Sequence, residues 1–429
     1  MNGEVLTAGI TGADFCGADN RPIQAAIDAV AQRGGGAVKI LPGTYVLDDS
    51  IHLRDSVTLM GSGEDTILRK GPQVYSRLSA DLGYGHYDVS IAEPDTFRVG
   101  MGVTIRDDQA FGFYETIATL VWRDADRFGI DQMLNHDYAR SRGGEVYSSF
   151  APVSAKFVGN VEVRDLVIDG NKDENPRTLN GCRGAGVFLL AVKNARVANV
   201  VVRDLNGDAI GFQQCTGVTI EDCLIENNTG HGLHPGSGSV GGVMRRCRCV
   251  GNGHDGVFFC LRATYCVCDS CEFIGNGDHG VSIGHRDTNN AIVRCRAADN
   301  HGAGIVFRET DDVMAPHVTL VADNTVADNC TEMEDAEVLI AAPVRDVHVV
   351  NNVIEHRAGG RAVFGIRACA DVGEVVLCGN RFSGDFAEEM KLDCEASAVV
   401  LAPPESALAA GPDAAPADAD RHLPPNVRQ

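Results

Sequence analysis

Acidic and imidazole side chains recur at a nearly constant interval in the middle of the sequence. Asp208, His231, Asp255 and His279 follow one another at steps of 23, 24 and 24 residues. A second group of polar residues comes after these positions, at the next predicted turns: Gln213, Arg262, His285, Arg286, Asp287, Arg308 and Glu309. Carboxylates and imidazoles transfer protons, and guanidinium groups bind anions, so the two groups together predict acid–base chemistry on a polar substrate.

The elements that position these residues follow from an internal repeat. Cys223, Cys247, Cys271 and Cys295 are 24 residues apart, and Asn228, Asn252, Asn276 and Asn300 repeat the same interval. A fixed period with one residue type at one phase indicates a supersecondary unit that stacks on its own copies. Short alternating apolar segments begin at Gly232, Gly256, Gly280 and Gly304 and predict a strand in each repeat. We therefore predict an all-β fold, a parallel β-solenoid with coils of 23–24 residues.

Because the predicted coils stack, the spacing of two residues in the sequence predicts the distance between them. Coils rise by roughly 4.8 Å, so identical phases lie above one another. The Asn column then predicts a ladder of side-chain amides in a turn, and the Cys column predicts a stack of thiols facing the interior. Because interior positions must be apolar, the charged residues at the neighbouring phases predict one outward edge that forms a groove.

Paired carboxyl groups suit several acid–base reactions, and one of them is hydrolysis of a glycosidic bond, which needs the two groups roughly 5–5.5 Å apart for retention and roughly 6.5–9.5 Å apart for inversion. Asp287 and Glu309 are one coil apart and suit the first distance, whereas Asp208 and Asp255 are two coils apart and suit the second. His234 is predicted to face outward as an acid or a base. The residues predicted to bind substrate are His231, His279, His285, Arg262, Arg286, Arg308, Gln213 and Trp122.

Composition limits the partners and the compartment. The formal net charge of −22 argues against a general nucleic-acid binder or a protein of anionic membrane surfaces. An odd number of cysteines, 15, with the regular ones explained by interior stacking, favours a reducing compartment. Without a visible signal peptide the prediction is a cytoplasmic protein, or a secreted one if an export signal was removed.

The predicted β-helix domain covers residues 1–402. It comprises a capping helix at 19–36, an inserted subdomain at 71–155 that holds Trp122 and most tyrosines, and regular coils at 157–395. An Ala- and Pro-rich tail at 403–429 is predicted to be disordered. A homo-oligomer is compatible with such a solenoid, and a trimer is conceivable.

Metal sites are not predicted. Asp165, Asp169 and Asp173, with Asn171, offer the oxygen ligands that Ca²⁺ prefers, but an Asx-rich turn explains them as well. The cysteines at 260, 266, 268 and 271 have zinc-like spacing, yet Cys271 belongs to the interior column. His254 is interpreted as a turn residue.

Two segments carry a resemblance to a known superfamily. The capping helix followed by Gly-Gly-Ala-Val-Lys-Ile-Leu-Pro-Gly-Thr-Tyr at 35–45 resembles the N-terminal signature of the pectate-lyase-like right-handed parallel β-helices. That superfamily includes polysaccharide lyases, polygalacturonase-type glycoside hydrolases, alginate epimerases and phage tailspikes. The resemblance implies a right-handed β-helix and a carbohydrate substrate.

Gly230-His231-Gly232 resembles the Gly-His-Gly strand of polygalacturonases, whose histidine supports paired catalytic aspartates one coil earlier. Asp208 matches one of these aspartates, but Ala209 stands at the position of its partner, and the third falls near Ala185. The polygalacturonase mechanism therefore does not transfer to this chain.

The function predicted from the sequence is cleavage of glycosidic bonds of an oligo- or polysaccharide by carboxylates, as a glycoside hydrolase or an intramolecular transglycosylase. One alternative is a polysaccharide lyase or C5-epimerase that uses His and Arg on a uronate, since such chemistry needs a base near C5 and a cation for the carboxylate. A second alternative is a non-catalytic solenoid that binds glycans.

Overall fold

The computed structural model describes residues 4–357, 361–395 and 399–402. These residues form two compact units. The first unit contains the described residues up to 190 together with 199–211 and 228–230, and the second contains 191–198, 212–227 and the described residues from 231 onward. The tail predicted at 403–429 lies outside the described residues.

The predicted capping helix is present in the first unit. It spans Asn20–Gln32, so it is shorter than the predicted range 19–36. The side chain of Asp19 accepts a hydrogen bond from the Arg21 backbone N–H and caps its N-terminus. Its apolar face, formed by Ile23, Ala26, Ile27 and Val30, is buried, which confirms the pattern read from the sequence.

Parallel strands make up most of the rest of the first unit. Glu4–Gly9 pairs in parallel with Gly36–Ile40, which pairs in turn with Val57–Met60. The other parallel strands of this unit are Phe15–Cys16, Gly43–Leu47, Ile51–His52, Thr66–Lys70, Val153–Lys156, Gly159–Asp169 and Val187–Leu190. Two further strands, Lys193–Arg203 and Ile210–Gln213, contain residues of both units.

The region of the predicted insertion folds as a separate antiparallel sheet. Its strands are Tyr75–Arg77, Asp88–Ser90, Gly102–Arg106, Thr116–Asp124, Arg127–Ile130 and Glu145–Tyr147. Val103, Leu120, Phe128 and Tyr138 belong to its hydrophobic core. The change from parallel coils to an antiparallel sheet explains why the 24-residue phase disappears from this part of the sequence.

Short 3₁₀ helices lie in the turns of both units: Pro94–Thr96, Gly112–Tyr114, Arg140–Arg142, Lys172–Glu174 and Asp312–Met314. No helix in the described part of the chain combines the length and apolar character that crossing a membrane requires.

Three rows of parallel strands build the second unit, one strand of each row per coil. The first row contains Leu233–Gly236, Val257–Phe258, Val281–Ile283, Ile305–Phe307, Ala336–Ile340, Phe364–Ala368 and Glu388–Leu392. The second contains Thr216–Glu221, Val243–Arg245, Val267–Asp269, Asn290–Val293, Thr319–Ala322, Val347–Val350, Val375–Cys378 and Val399–Ala402. The third contains Leu224–Glu226, Arg248–Val250, Glu272–Ile274, Arg296–Ala298, Thr325–Ala327, Val353–His356 and Arg381–Gly384.

In the first row, residues at the same position of successive coils pair with one another. Leu233 pairs with Val257, Val257 with Val281, and Val281 with Ile305. These four side chains are buried and fill the interior. The architecture confirms the predicted right-handed parallel β-helix.

The two repeated columns have the predicted structural roles. The backbone N–H of Asn252 donates to Oδ1 of Asn276 at 3.1 Å, and that of Asn276 donates to Oδ1 of Asn300 at 2.9 Å. This ladder ends at Glu337, whose Oε2 accepts from Nδ2 of Asn329 at 2.7 Å. In the Cys column the thiols are buried, and Cys271 donates to the Met244 carbonyl of the preceding coil at 3.4 Å.

Candidate active site

The column of acids and imidazoles is a hydrogen-bond ladder in the second unit. The Asp255 backbone N–H donates to Nδ1 of His231 at 3.2 Å, and the His279 N–H donates to Oδ1 of Asp255 at 3.0 Å. The Ala303 N–H then donates to Nδ1 of His279 at 3.0 Å. Because Nδ1 accepts in both imidazoles, Nε2 is the nitrogen that carries the proton in the neutral rings.

Burial changes the role expected of the two acids of this column. Asp255 is buried, and its Oδ2 lies 3.3 Å from Nδ1 of His231. Asp208 lies in the other unit, where it is also buried, and a Cβ on Gly230 would come within 2.2 Å of its Oδ1. The expectation that this column forms an open groove edge is therefore wrong for its carboxylates, which pack against neighbouring backbone.

An exposed histidine–aspartate pair lies beside this ladder. Nδ1 of His254 is 2.7 Å from Oδ2 of Asp278, and the two side chains are 54% and 33% exposed. The hydrogen bond from His254 holds the pKa of the Asp278 carboxyl below its usual value. With Nδ1–H donating to this carboxylate, Nε2 of His254 is the basic nitrogen and is suited to accept a proton.

Neither member of this pair was selected from the sequence. His254 is interpreted from the sequence as a turn residue, and Asp278 is not among the candidate residues. A signal was available, because the two residues are 24 positions apart and so occupy the same phase of adjacent coils.

Two imidazoles contact one aromatic ring, and a third imidazole lies against one of them. The His231 ring centroid is 5.2 Å from that of His254 and 5.6 Å from that of His234, and we call these three residues the imidazole cluster. Phe258 stacks on His231 at 4.3 Å with an interplanar angle of 8°, and its edge-to-face distance to His234 is 5.4 Å. His234 itself is 3% exposed, which corrects the expectation that it faces outward.

Arg308 is held rigidly against the same aromatic ring. Its guanidinium carbon is 4.3 Å from the Phe258 centroid, Nη1 donates to Oγ of Ser282 at 2.7 Å, and Nη2 donates to the Phe259 carbonyl at 2.7 Å. A Cβ on Gly284 would come within 2.9 Å of the guanidinium, so the missing side chain makes room for it. Burial lowers the pKa of Arg308, although the group stays cationic at neutral pH.

The buried carboxylate of Asp287 lies close to the Arg308 guanidinium. The carboxylate is fully buried, accepts from the backbone N–H groups of Ala263 and Gly284 at 2.9 and 3.0 Å, and lies 3.7 Å from Nη2 of Arg308. Burial raises the pKa of Asp287 to about 7. Glu309 is exposed, so the proposed pair of Asp287 and Glu309 does not present two equivalent carboxyls to a substrate.

The other predicted binding residues occupy different environments. Arg262 and Arg286 are exposed in consecutive turns, and His285 is half-buried with its pKa lowered by burial and by Arg308. His279 is half-buried, and Gln213 is buried. Trp122 lies in the other unit on the strand Thr116–Asp124 and is exposed.

The residues considered for Ca²⁺ do not share a common site. Asp169 lies 3.4 Å from Nη1 of Arg69, and Oδ1 of Asn171 accepts from Nη2 of the same arginine at 2.8 Å. Asp165 pairs instead with Arg164. Across residues 4–357, 361–395 and 399–402, no group of three or more His, Cys, Asp or Glu side chains is arranged to hold a metal ion.

Comparisons with known proteins agree with this architecture. A family model described as a right-handed β-helix region matches residues 185–354. The A-module of the mannuronan C-5 epimerase AlgE4 of Azotobacter vinelandii is 16% identical, with 92% of this chain and 100% of that chain covered and a TM-score of 0.59.

Two further solved structures are similar. The endo-xylogalacturonan hydrolase of Aspergillus tubingensis is 13% identical over 93% of this chain and 98% of its own, with a TM-score of 0.54. The polygalacturonase of Erwinia carotovora ssp. carotovora is 13% identical over 94% and 96%, with a TM-score of 0.52. A comparison with curated sequences found no significant match. At these identities the similarity establishes the fold.

Proposed function

We propose, for a chain with the right-handed parallel β-helix fold of the pectate-lyase-like superfamily, that it catalyses proton transfer at C5 of a uronate in a polysaccharide. The observation that carries the proposal is the exposed pair of His254 and Asp278 next to His231. His254 is a base that is hydrogen-bonded to the Asp278 carboxylate, and the ring of His231 lies 5.2 Å from its ring. The two imidazoles together form an acid–base pair for one substrate carbon.

The chemistry follows from the protonation of each group. Nε2 of His254 takes the C5 proton, and Asp278 stabilises the imidazolium that forms. The cationic Arg308, with Arg262 and Arg286 in the neighbouring turns, favours the negative charge that develops at the uronate carboxylate. The second proton comes from solvent and is relayed through Nε2 of His231, so that this ring is neutral again after the step.

The destination of that second proton decides the product. Delivery to C5 on the opposite face inverts the carbon and gives epimerisation. Delivery to the glycosidic oxygen at C4, with loss of that bond, gives elimination and an unsaturated product. In both cases one proton is taken and one is returned, and no water is consumed.

Hydrolysis, the function favoured by the sequence, becomes the second candidate. Asp255 and Asp287 are enclosed and accept backbone hydrogen bonds, so they are poorly placed to reach a glycosidic bond. One observation still supports hydrolysis: a pKa of about 7 for Asp287 is the property that a general acid needs.

A panel of polysaccharides analysed by mass tests the proposal. Polymannuronate, polyguluronate and polygalacturonate are compared with neutral xylan and mannan. We expect action on a uronate polymer with either no change in mass or an unsaturated end that absorbs in the ultraviolet. Addition of water at the cleaved bond would favour hydrolysis instead. Retention of a glycan on the protein without any chemical change would favour the non-catalytic alternative.

A further inference from the structure

One row of positions next to the imidazole cluster contains a thiol between two glycines. Gly236 pairs with Cys260, and the register of the following strands places Gly284 beside Arg308. Gln213 packs over Gly236 from the other side. We call Gln213, Gly236, Cys260, Gly284 and Arg308 the thiol row.

The two glycines leave room for polar groups at the positions on either side of Cys260. A Cβ on Gly236 would lie 2.9 Å from both Oε1 and Nε2 of Gln213 and 3.1 Å from Cβ of Cys260. A Cβ on Gly284 would lie 2.9 Å from Nε and Nη2 of Arg308. Arg308 is also hydrogen-bonded to the carbonyl of Phe259, the residue before Cys260. An amide and a guanidinium therefore flank one partly exposed cysteine.

The flanking groups have unused hydrogen-bonding capacity. Gln213 is 2% exposed, and neither its Oε1 nor its Nε2 has a hydrogen-bond partner among the described residues. The buried Nε of Arg308 also has no hydrogen-bond partner among the described residues. A buried hydrogen-bond donor without an acceptor lowers the stability of the fold. A thiolate sulfur, or an oxygen atom bound to that sulfur, would supply the missing acceptor.

We propose that Cys260 is a reactive thiol and a site of oxidation by hydroperoxides. The thiolate sulfur attacks the O–O bond, so that an S–O bond forms, sulfur is oxidised by two electrons, and the peroxide is reduced. The departing hydroxide or alkoxide takes a proton from solvent. The product is a sulfenic acid at Cys260, whose oxygen accepts from the Gln213 amide and the Arg308 guanidinium. This proposal does not depend on the polysaccharide chemistry above.

The first test is the rate of alkylation of individual cysteines by iodoacetamide, followed by peptide mass spectrometry on the native, full-length chain. We expect Cys260 to react faster than the exposed Cys16, although Cys260 is less accessible. Between pH 6 and pH 8 the rate of an ordinary thiol rises by roughly 70-fold, and the rate at Cys260 is expected to rise by less than roughly tenfold. A slower reaction than at Cys16, with the full rise, would overturn the proposal.

The second test uses variants. Arg308→Gln is expected to slow alkylation of Cys260 by roughly tenfold, whereas Arg308→Lys retains part of the rate. Arg286→Gln is the matched control, because Arg286 is exposed one coil before Arg308 and donates to the Val313 carbonyl. Equal rates in Arg308→Gln and wild type would contradict the assignment.

The third test detects the oxidised product. Hydrogen peroxide followed by dimedone, which traps sulfenic acids, is expected to label Cys260 before Cys369 and Cys394, whose thiol pKa values are raised by burial. Gln213→Leu is expected to lower the yield of trapped product, since it removes the amide that lies beside Gly236 in the thiol row. Labelling that is no greater at Cys260 than at the other two would count against the proposal.

Discussion

Nδ1 of His254 and Oδ2 of Asp278 lie 2.7 Å apart on adjacent coils, and both side chains remain open to solvent. The neighbouring acids differ, because Asp255 and Asp287 are buried and accept hydrogen bonds from backbone N–H groups. His254 can therefore take up a proton at Nε2 while its Nδ1–H keeps the hydrogen bond to Asp278. This difference is why we assign proton transfer to His254.

Asp278→Asn tests the support that the carboxylate gives to His254. The substitution keeps the shape but removes the charge that stabilises the imidazolium, so kcat on a uronate polymer is expected to fall by about 10²-fold with little change in KM. His348→Ala is the matched control, because Nε2 of His348 lies 2.9 Å from Oδ1 of Asp346 in another exposed pair of the second unit. A loss of the same size in both variants would show a structural effect.

Gly284→Ala tests the placement of Arg308. The added Cβ would come within 2.9 Å of the guanidinium and move it away from Phe258. We expect a several-fold higher KM for a uronate polymer and a smaller effect on kcat. Unchanged KM in a folded variant would show that Arg308 does not contribute to binding the carboxylate.

Asp287 predicts a specific dependence of stability on pH. Its folded pKa of about 7 is above the value of about 3.9 for an unfolded Asp, so the folded state binds the proton more tightly. The contribution of Asp287 to stability is therefore complete below pH 4, decreases as pH rises from 4 to 7, and is constant above pH 7. The difference in Tm between wild type and Asp287→Asn should follow this curve, and a difference that is constant with pH would contradict it.

The Asn ladder predicts unequal costs for two substitutions in one coil. Asn276 is fully buried, accepts from Asn252 and donates to Asn300, so Asn276→Ala leaves several buried groups unsatisfied and should cost about 2 kcal/mol or more. Glu272→Ala removes only an exposed ion pair with Arg248 and should cost less than about 1 kcal/mol. Urea unfolding measures both, and equal costs would contradict the ladder's role.

The fold could be predicted because the repeat is periodic in residue type. Cys and Asn each recur at a fixed position of the repeat, and this recurrence directly indicates that the coils stack. The strands that begin near Gly232 and Gly256 have the predicted register. The insertion could be located but its antiparallel sheet could not be derived, because its pairing depends on contacts without a period.

The site could be predicted only in part. The 24-residue phase correctly brought His231 and Asp255 together, but the direction of each side chain depends on whether a backbone N–H of the next coil needs an acceptor. That need made Asp255 a ladder residue, and His234 is buried with its ring packed against Phe258. The residue types alone did not distinguish these cases from the exposed His254.

The most direct measurement is loss of the C5 proton of a uronate polymer incubated with the protein in D₂O, read by NMR. Epimerisation replaces this proton by deuterium, and elimination removes it as the unsaturated end forms. We expect wild type and His348→Ala to remove the proton, and His254→Ala to lose at least about 10²-fold of the rate. Undiminished loss of the C5 proton in His254→Ala would contradict the account, as would cleavage of a polymer by added water with the C5 proton retained.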